Sequence, residues 1–244
     1  MKKYFAQFFV AVCLLLSGCE EKKDNALKIA TCADNPPFEY YQNGEQLVGF
    51  DVELAEAIAE QLKKKAVFKD MAFGSIPAAL DNGLVDAAVA AITISEEKKK
   101  NFDFSEEYCN SSISLIYKSD NRITDISKIG SSKVAIQLGC TGYIKLVSES
   151  APQAEQILMD KVDAAVESLK AEQVKYVVAD TMAAKEFCKK NPELVCSVIA
   201  KDGKYAILLP KGSPLKEAIN RALGELKADG KIKELESKYL GKME

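Results

Sequence analysis

The sequence predicts an α/β protein built from largely parallel sheets layered with helices. Short apolar runs bounded by turn residues alternate with helical stripes along most of the 244 residues, the pattern that parallel strands joined by helical crossovers produce. Val85 to Ala91, between Asn82-Gly83 and Thr93 to Ser95, reads as a strand buried on both faces. A hydrophobic fraction of 48% and a charged fraction of 28% are those of an ordinary globular chain large enough to bury a sizeable core.

Taken in order, Leu27 to Cys32 is the first strand. Phe50 to Leu62 follows as a helix, with Phe50, Leu54, Ala57, Ile58 and Leu62 forming one apolar stripe at spacings of three and four. Strands are expected at Ala66 to Met71, Val85 to Ala91, Ile113 to Tyr117, Lys133 to Leu138, Gln156 to Asp160, Tyr176 to Ala179 and Tyr205 to Leu209. Helical stripes lie within Ile76 to Leu84, Tyr143 to Ser148, Lys161 to Ala171, Thr181 to Lys190 and Leu215 to Leu226. The last of these is introduced by Ser213-Pro214, with proline read as the first helical residue. Ser95 is a good N-cap, Glu96 and Glu97 suit the positive end of a helix dipole, and Lys98 to Lys100 follow. Ser111 to Lys118 and Lys204 to Leu209 lack helical partners and read as extended connections.

The amino terminus differs in kind. Lys2-Lys3 precede an apolar run from Phe5 to Leu16 and then Leu16-Ser17-Gly18-Cys19. That run is too short for the ~30 Å hydrocarbon core of a bilayer, so residues 1–18 read as a secretory signal. Leu-Ser-Gly-Cys resembles the bacterial lipoprotein box, which implies cleavage before Cys19, a lipid thioether on its sulfur and a polar tether over residues 19–26. An ordinary signal peptide is the alternative. Loss of Lys2 and Lys3 would take the net charge from −3 to −5. With basic residues interspersed among acidic ones, nucleic acid is excluded as a natural partner.

Export would place the seven cysteines in an oxidising compartment. Cys188 and Cys196 flank a short turn able to bring their Cβ atoms within ~4 Å, so a disulfide is expected there, with two buried thiols as the alternative. Cys32, Cys109 and Cys140 remain, each read as a small packed hydrophobe. Their spacing is not that of a zinc site and the chain has no histidine, so neither a metal nor a cofactor is expected.

Val89 to Ser105 carries the chemistry. It sets the Thr93 hydroxyl and the Lys98 ammonium just past the end of a strand, where open α/β sheets bind ligands. The segment resembles M-T-I-T-x-E-R-x-K-x-x-D-F-S of the polar amino-acid-binding proteins of bacterial ABC importers. Thr93, Ile94, Ser95, Glu97, Lys100, Asp103, Phe104 and Ser105 match, and Lys98 stands where that family has arginine. Asn35 to Tyr40, Gly49 to Ala55, Phe73 with Ile76, Gly139-Cys140-Thr141 and the stretch from Gly212 to Gly241 extend the likeness over about residues 27 to 241.

The resemblance implies a two-lobed periplasmic-binding-protein fold of type II. Residues 27–112 and 208–244 would form one lobe, residues 113–207 the other, and two extended segments the hinge. It further implies a monomeric, lipid-anchored extracytoplasmic receptor that binds a polar amino acid and delivers it to an ABC permease. Lys98 would hold the α-carboxylate with the Thr93 and Thr141 hydroxyls and the amides of the Gly139-Cys140-Thr141 turn, and Asp180 would accept the α-ammonium. Phe73, Asn35, Cys32, Ala91 and Cys140 would surround the rest of the ligand. On the residues alone, Lys98 reads first as plain helix surface, and Asp180 reads equally as an ordinary helix N-cap.

Ligand selectivity stays open. Asn35 replaces an aromatic wall, which costs a basic side chain one cation–π contact of ~0.5–2 kcal/mol, so basic amino acids are not favoured, although Asp34 and Glu39 nearby keep them from being excluded. Cys32 and Cys140 leave room for a thiol-containing or cystine ligand. Two other readings compete: a dehydratase-like enzyme acting on a carboxylate, which without histidine would need carboxylates, Lys98 or a cysteine, and a sensory module serving a membrane receptor.

Overall fold

The computed structural model describes residues 25–241, apart from residue 124 and the side chain of residue 202. The expected signal segment, lipidation site Cys19 and most of the tether lie outside the described residues. No helix among the described residues is long and apolar enough to cross a membrane.

The chain opens with β1 (Ala26–Thr31) and a small antiparallel sheet of β2 (Asp34–Asn35), β3 (Glu39–Gln42) and β4 (Gln46–Val48). Helix α1 (Phe50–Gln61) leads to β5 (Lys65–Asp70), then to α2 (Ile76–Asp81) and β6 (Ala87–Ala88). Strands β5, β1 and β6 are parallel, with Leu27 opposite Ala66 and Ile29 opposite Ala87. Phe50, Leu54, Ala55 and Ile58 of α1 cover one face of these strands, and Ile76, Ala79 and Leu80 of α2 cover the other. Each helix thus buries the stripe its spacing predicts.

Short α3 (Glu96–Asn101) is capped by Ser95, whose hydroxyl accepts from Lys98 N at 3.3 Å. It runs directly into β7 (Phe102–Lys118). A second parallel set follows: β8 (Lys133–Gln137), α4 (Thr141–Ser150), β9 (Glu155–Met159), α5 (Val162–Lys170), β10 (Tyr176–Asp180) and α6 (Thr181–Lys190). Val162, Ala165, Val166 and Leu169 pack on one face of this set and Val147 on the other. Strand β11 (Leu194–Pro210) returns, and α7 (Lys216–Ala228) and α8 (Lys231–Leu235) pack Ile219, Leu223 and Leu235 back against α1.

The strand order is β5-β1-β6-β11-β7-β10-β8-β9. Two parallel wings are therefore joined by an antiparallel pair, β7 and β11, that runs through both. The pair holds register from Leu194 opposite Lys118 to Pro210 opposite Phe102, with shifts between Val198 and Leu208. Bulges of this kind bend a strand. At the bend Gly203 lies so close to the Ser111 hydroxyl that a Cβ would collide with it.

Several details depart from the sequence reading. The expected strands at Ile113–Tyr117 and Tyr205–Leu209 are fragments of two 17-residue strands, whose charged outer residues mask the pattern. Of Val85–Ala91 only Ala87 and Ala88 lie in a ladder, although the run is buried as expected. The last long helix begins at Lys216, with Leu215 as its N-cap, so Pro214 precedes the helix. Cys188 and Cys196 are free thiols: both pack against the same core cluster, as their spacing across the turn suggests, without closing the expected disulfide.

Candidate functional site

The carboxyl ends of both parallel sets face each other across a cleft. On the first side stand Cys32 after β1, Asp34 and Asn35 of β2, Glu39 of β3, Phe73 ahead of α2, and the Ala91 to Lys98 segment. On the other stand Gln137 at the end of β8, Cys140 and Tyr143 around the start of α4, and Asp180 where β10 turns into α6. Tyr205 enters from β11.

Two connected compartments result, with Phe73, Ala91, Cys140 and Tyr143 as shared walls. The first has a free volume of about 30 Å³ and is lined by Asp34, Asn35, Glu39, Gln137, Asp180 and Tyr205. The second has about 110 Å³ and is lined by Thr93, Ser95 and Lys98.

Lys98 is half-buried, and its Nζ donates across the cleft to Thr141 Oγ1 at 3.2 Å and to Gly139 O at 3.4 Å. Burial pushes its pKa down from the ordinary lysine value. It is therefore not plain helix surface. Its acceptors are neutral oxygens, so the ammonium retains capacity for an anion. The turn it reaches demands glycine at 139: φ is +93°, and a Cβ there would lie 2.9 Å from Gly74 Cα, where the two walls come together. Thr93 bridges to Tyr205 through the backbone, which holds its side chain beside Lys98 in the second compartment.

Asp180 is an N-cap and a wall of the cavity at once. Its Oδ1 accepts from Met182 N at 2.7 Å and Ala183 N at 3.2 Å, and its Oδ2 accepts from the Tyr205 hydroxyl. It is 5% exposed. Burial raises its pKa even against those donors.

Asp34 spans the cleft. Oδ2 accepts from Gln137 Nε2 at 3.0 Å and from Val162 N at 3.1 Å, and Oδ1 accepts from Cys32 Sγ at 3.2 Å. Burial raises its pKa. The Cys140 thiol lies 3.7 Å from Gln137 Oε1, so both cleft thiols are tied to one amide and are pushed up by burial, Cys140 to about 12. Neither has the character of a reactive thiolate.

Ala91 occupies the left-handed region at φ +44°, uncommon for a residue with a Cβ. The buried Asp51 carboxylate fixes it, with Oδ2 accepting from Ala91 N at 2.6 Å. Strain held this way at a ligand wall is characteristic of sites that need fixed shape.

Every residue that the sequence assigns to ligand contact therefore lines one of the two compartments or, as with Thr141, bonds a residue that does. Gln137, Tyr143 and Tyr205 were not assigned. Gln137 carries a signal in hindsight, since it ends a strand at the sheet's ligand edge; Tyr205 sits inside a connection whose long-range pairing no local pattern reveals.

Residues 27–242 match the bacterial extracellular solute-binding proteins, family 3, and the chain belongs to that family. It is 30% identical over 254 residues to the arginine-binding extracellular protein ArtP of Bacillus subtilis, covering 98% of each protein. An ancestral arginine-binding protein solved with arginine superposes with a TM-score of 0.84 at 35% identity, covering 89% of this chain and 99% of that one. The ancestral protein solved with glutamine gives 0.85 at the same identity and coverage. The protein is thus an amino-acid-binding component of the ABC-importer type, of extracellular class. Its relatives are binding proteins, not enzymes.

Proposed function

We propose that this protein is a lipid-anchored receptor that binds a cationic L-amino acid and presents it to an ABC permease. The observation that carries the reading is the first compartment, where Asp34, Glu39 and Asp180 face one small cavity with Asp51 directly behind. None of the ion pairs between described residues involves any of the four. Buried carboxyls without a counter-charge are costly, and a ligand bearing two cationic groups would supply what the fold omits. Its α-carboxylate would lie at Lys98, its α-ammonium at Asp180 and its side-chain cation toward Asp34 and Glu39.

Magnitudes favour this over the aromatic argument. Asn35 removes one cation–π contact worth ~0.5–2 kcal/mol, but its Nδ2 donates to Glu39 Oε1 at 3.2 Å and steadies a carboxyl. Each charge-assisted hydrogen bond from a ligand cation is worth ~1.5–3 kcal/mol, so two exceed the lost ring contact. The names of the arginine-binding relatives agree.

Thermal unfolding of residues 20 to 244 in the presence of each common amino acid tests the ligand. Arginine or lysine at ~100 times Kd should stabilise by ~2.7 kcal/mol, a shift of roughly 5–10 °C. A larger shift with glutamine or cystine would overturn the cationic assignment and leave the family unaffected. For the anchor, Cys19→Ala should move the protein from the membrane to the soluble fraction; unchanged membrane association would rule out lipidation there.

A further inference from the structure

Behind the first compartment, Glu39 at the start of β3 meets Asp51 in the first turn of α1, each 1% exposed. Asp51 Oδ2 is satisfied by Ala91 N at 2.6 Å and the Tyr108 hydroxyl at 2.8 Å. Glu39 Oε1 has the Asn35 amide. The other oxygen of each, Glu39 Oε2 and Asp51 Oδ1, is buried and receives no fixed donor. Asp51 N donates to Phe38 O at 2.9 Å, which sets the first turn of α1 against the start of β3 and leaves one unpaired oxygen on each buried carboxyl; two carboxyl groups can satisfy each other there only when one of them carries a proton.

The proton belongs on Glu39. Asp51 has two strong donors that favour its ionised form, whereas Glu39 has one amide. Burial raises Asp51 to about 6 and raises Glu39 well above its ordinary value. The titratable groups around the pair are Cys32 beside β1, Asp34 on β2, Tyr108 and Cys109 on β7, Tyr143 on α4, Asp180 at the start of α6 and Tyr205 on β11. None of these is cationic: the carboxylates of Asp34 and Asp180 favour retention of the proton by repulsion, while the Tyr108 hydroxyl favours the ionised form of Asp51. Glu39 also lines the ligand cavity, which brings that proton to a wall that a ligand side chain touches.

We infer that Glu39 and Asp51 form a proton-sharing carboxyl pair that reads ligand charge: a cationic side chain entering against Glu39 expels the proton, and a neutral one leaves it in place. The Glu39 O–H bond breaks heterolytically, the proton passes to solvent, and the carboxylate left behind faces the ligand cation. Charge selection is then a linkage between binding and protonation, in addition to direct attraction. The inference rests on the cationic-ligand reading above.

The test is calorimetric titration of the intact soluble chain at pH 7 in two buffers of different ionisation enthalpy, which counts protons released per ligand. L-Arginine should release between half a proton and one proton more than L-citrulline, its neutral isostere; the difference cancels any release at Asp180, which both ligands share. Arginine affinity should rise with pH between 6 and 7, by at most about tenfold per unit for one proton released. Glu39→Gln should abolish both the excess release and the slope while still binding arginine. Arginine binding with the same proton count as citrulline, or an unchanged count in Glu39→Gln, overturns the proton-sharing pair and leaves the cationic reading standing. Absence of binding by both arginine and lysine overturns both. If Glu39→Gln does not fold, the arginine and citrulline counts on the parent decide alone.

Discussion

On one side of Phe73 and Cys140, the Lys98 ammonium donates to two neutral oxygens, a threonine hydroxyl and a peptide carbonyl. On the other side, Asp34, Glu39 and Asp180 accept from amide, thiol and hydroxyl donors, with no ion pair among the described residues. Cation and carboxyls are thus kept in separate compartments of one cleft, and among the described residues no ion pair joins Lys98, Asp34, Glu39 or Asp180 to a group of opposite charge. Neutral partners orient a charge without cancelling it, so each compartment keeps its attraction for a group of opposite sign. A zwitterion bearing a further cation satisfies both compartments together. The fold's own ion pairs, such as Lys99 with Glu96 and Lys238 with Glu53, lie at the surface, where they contribute little.

That comparison breaks most readily at the two groups that would hold the common part of any amino acid. Asp180→Asn keeps an oxygen to cap α6 but removes the charge, and Lys98→Met keeps the stem without the ammonium. Each should weaken arginine and glutamine alike by ~2–5 kcal/mol in titration calorimetry, with little change in the unliganded unfolding midpoint. Affinity within twofold of the parent would reduce Asp180 to a cap, or Lys98 to a bridge between walls. Lys98→Arg sharpens the point, because a guanidinium can grip both carboxylate oxygens and should bind comparably or better. Loss of binding in that variant would mean the ligand's anion lies elsewhere.

A smaller and more selective effect is expected at Asp34. Asp34→Asn retains the contacts to Gln137 and Val162 but removes a charge from the side-chain compartment alone. Arginine should lose ~1.5–3 kcal/mol while glutamine changes by less than half of that. Equal losses for the two ligands would show that Asp34 serves closure of the cleft rather than selection, and the division between compartments would fail.

Much of this was legible in local sequence. Ser95 followed by two acids and three lysines gave the cap of α3 and the position of Lys98, because capping depends on neighbours one turn apart. Asp180 between a strand and a helix was legible as both cap and site residue, and the structure has one oxygen capping and the carboxyl at the cavity. Cys188 and Cys196 were correctly brought together by a short turn, but adjacency does not make a bond. The full length of β7 and β11 was not legible. Their ladder pairs residues up to 108 positions apart, Pro210 with Phe102 being the first such rung, and their outer segments, such as Asp103 to Glu107, are too polar to read as buried strand.

The sequence by itself determined the α/β alternation, the helix stripes, the cap at Ser95 and the family, since all of these rest on patterns within a few residues or on blocks in fixed order. Only the tertiary structure decided that Lys98 reaches Thr141, that Asp34 reaches Gln137, and that Glu39 meets Asp51. These contacts join residues 12 to 103 positions apart, and which charges meet there depends on how the two wings close. Local periodicity cannot encode that. It places a side chain on a face, whereas the balance between desolvation and hydrogen bonding that sets each group's charge arises only when opposing faces exclude water together.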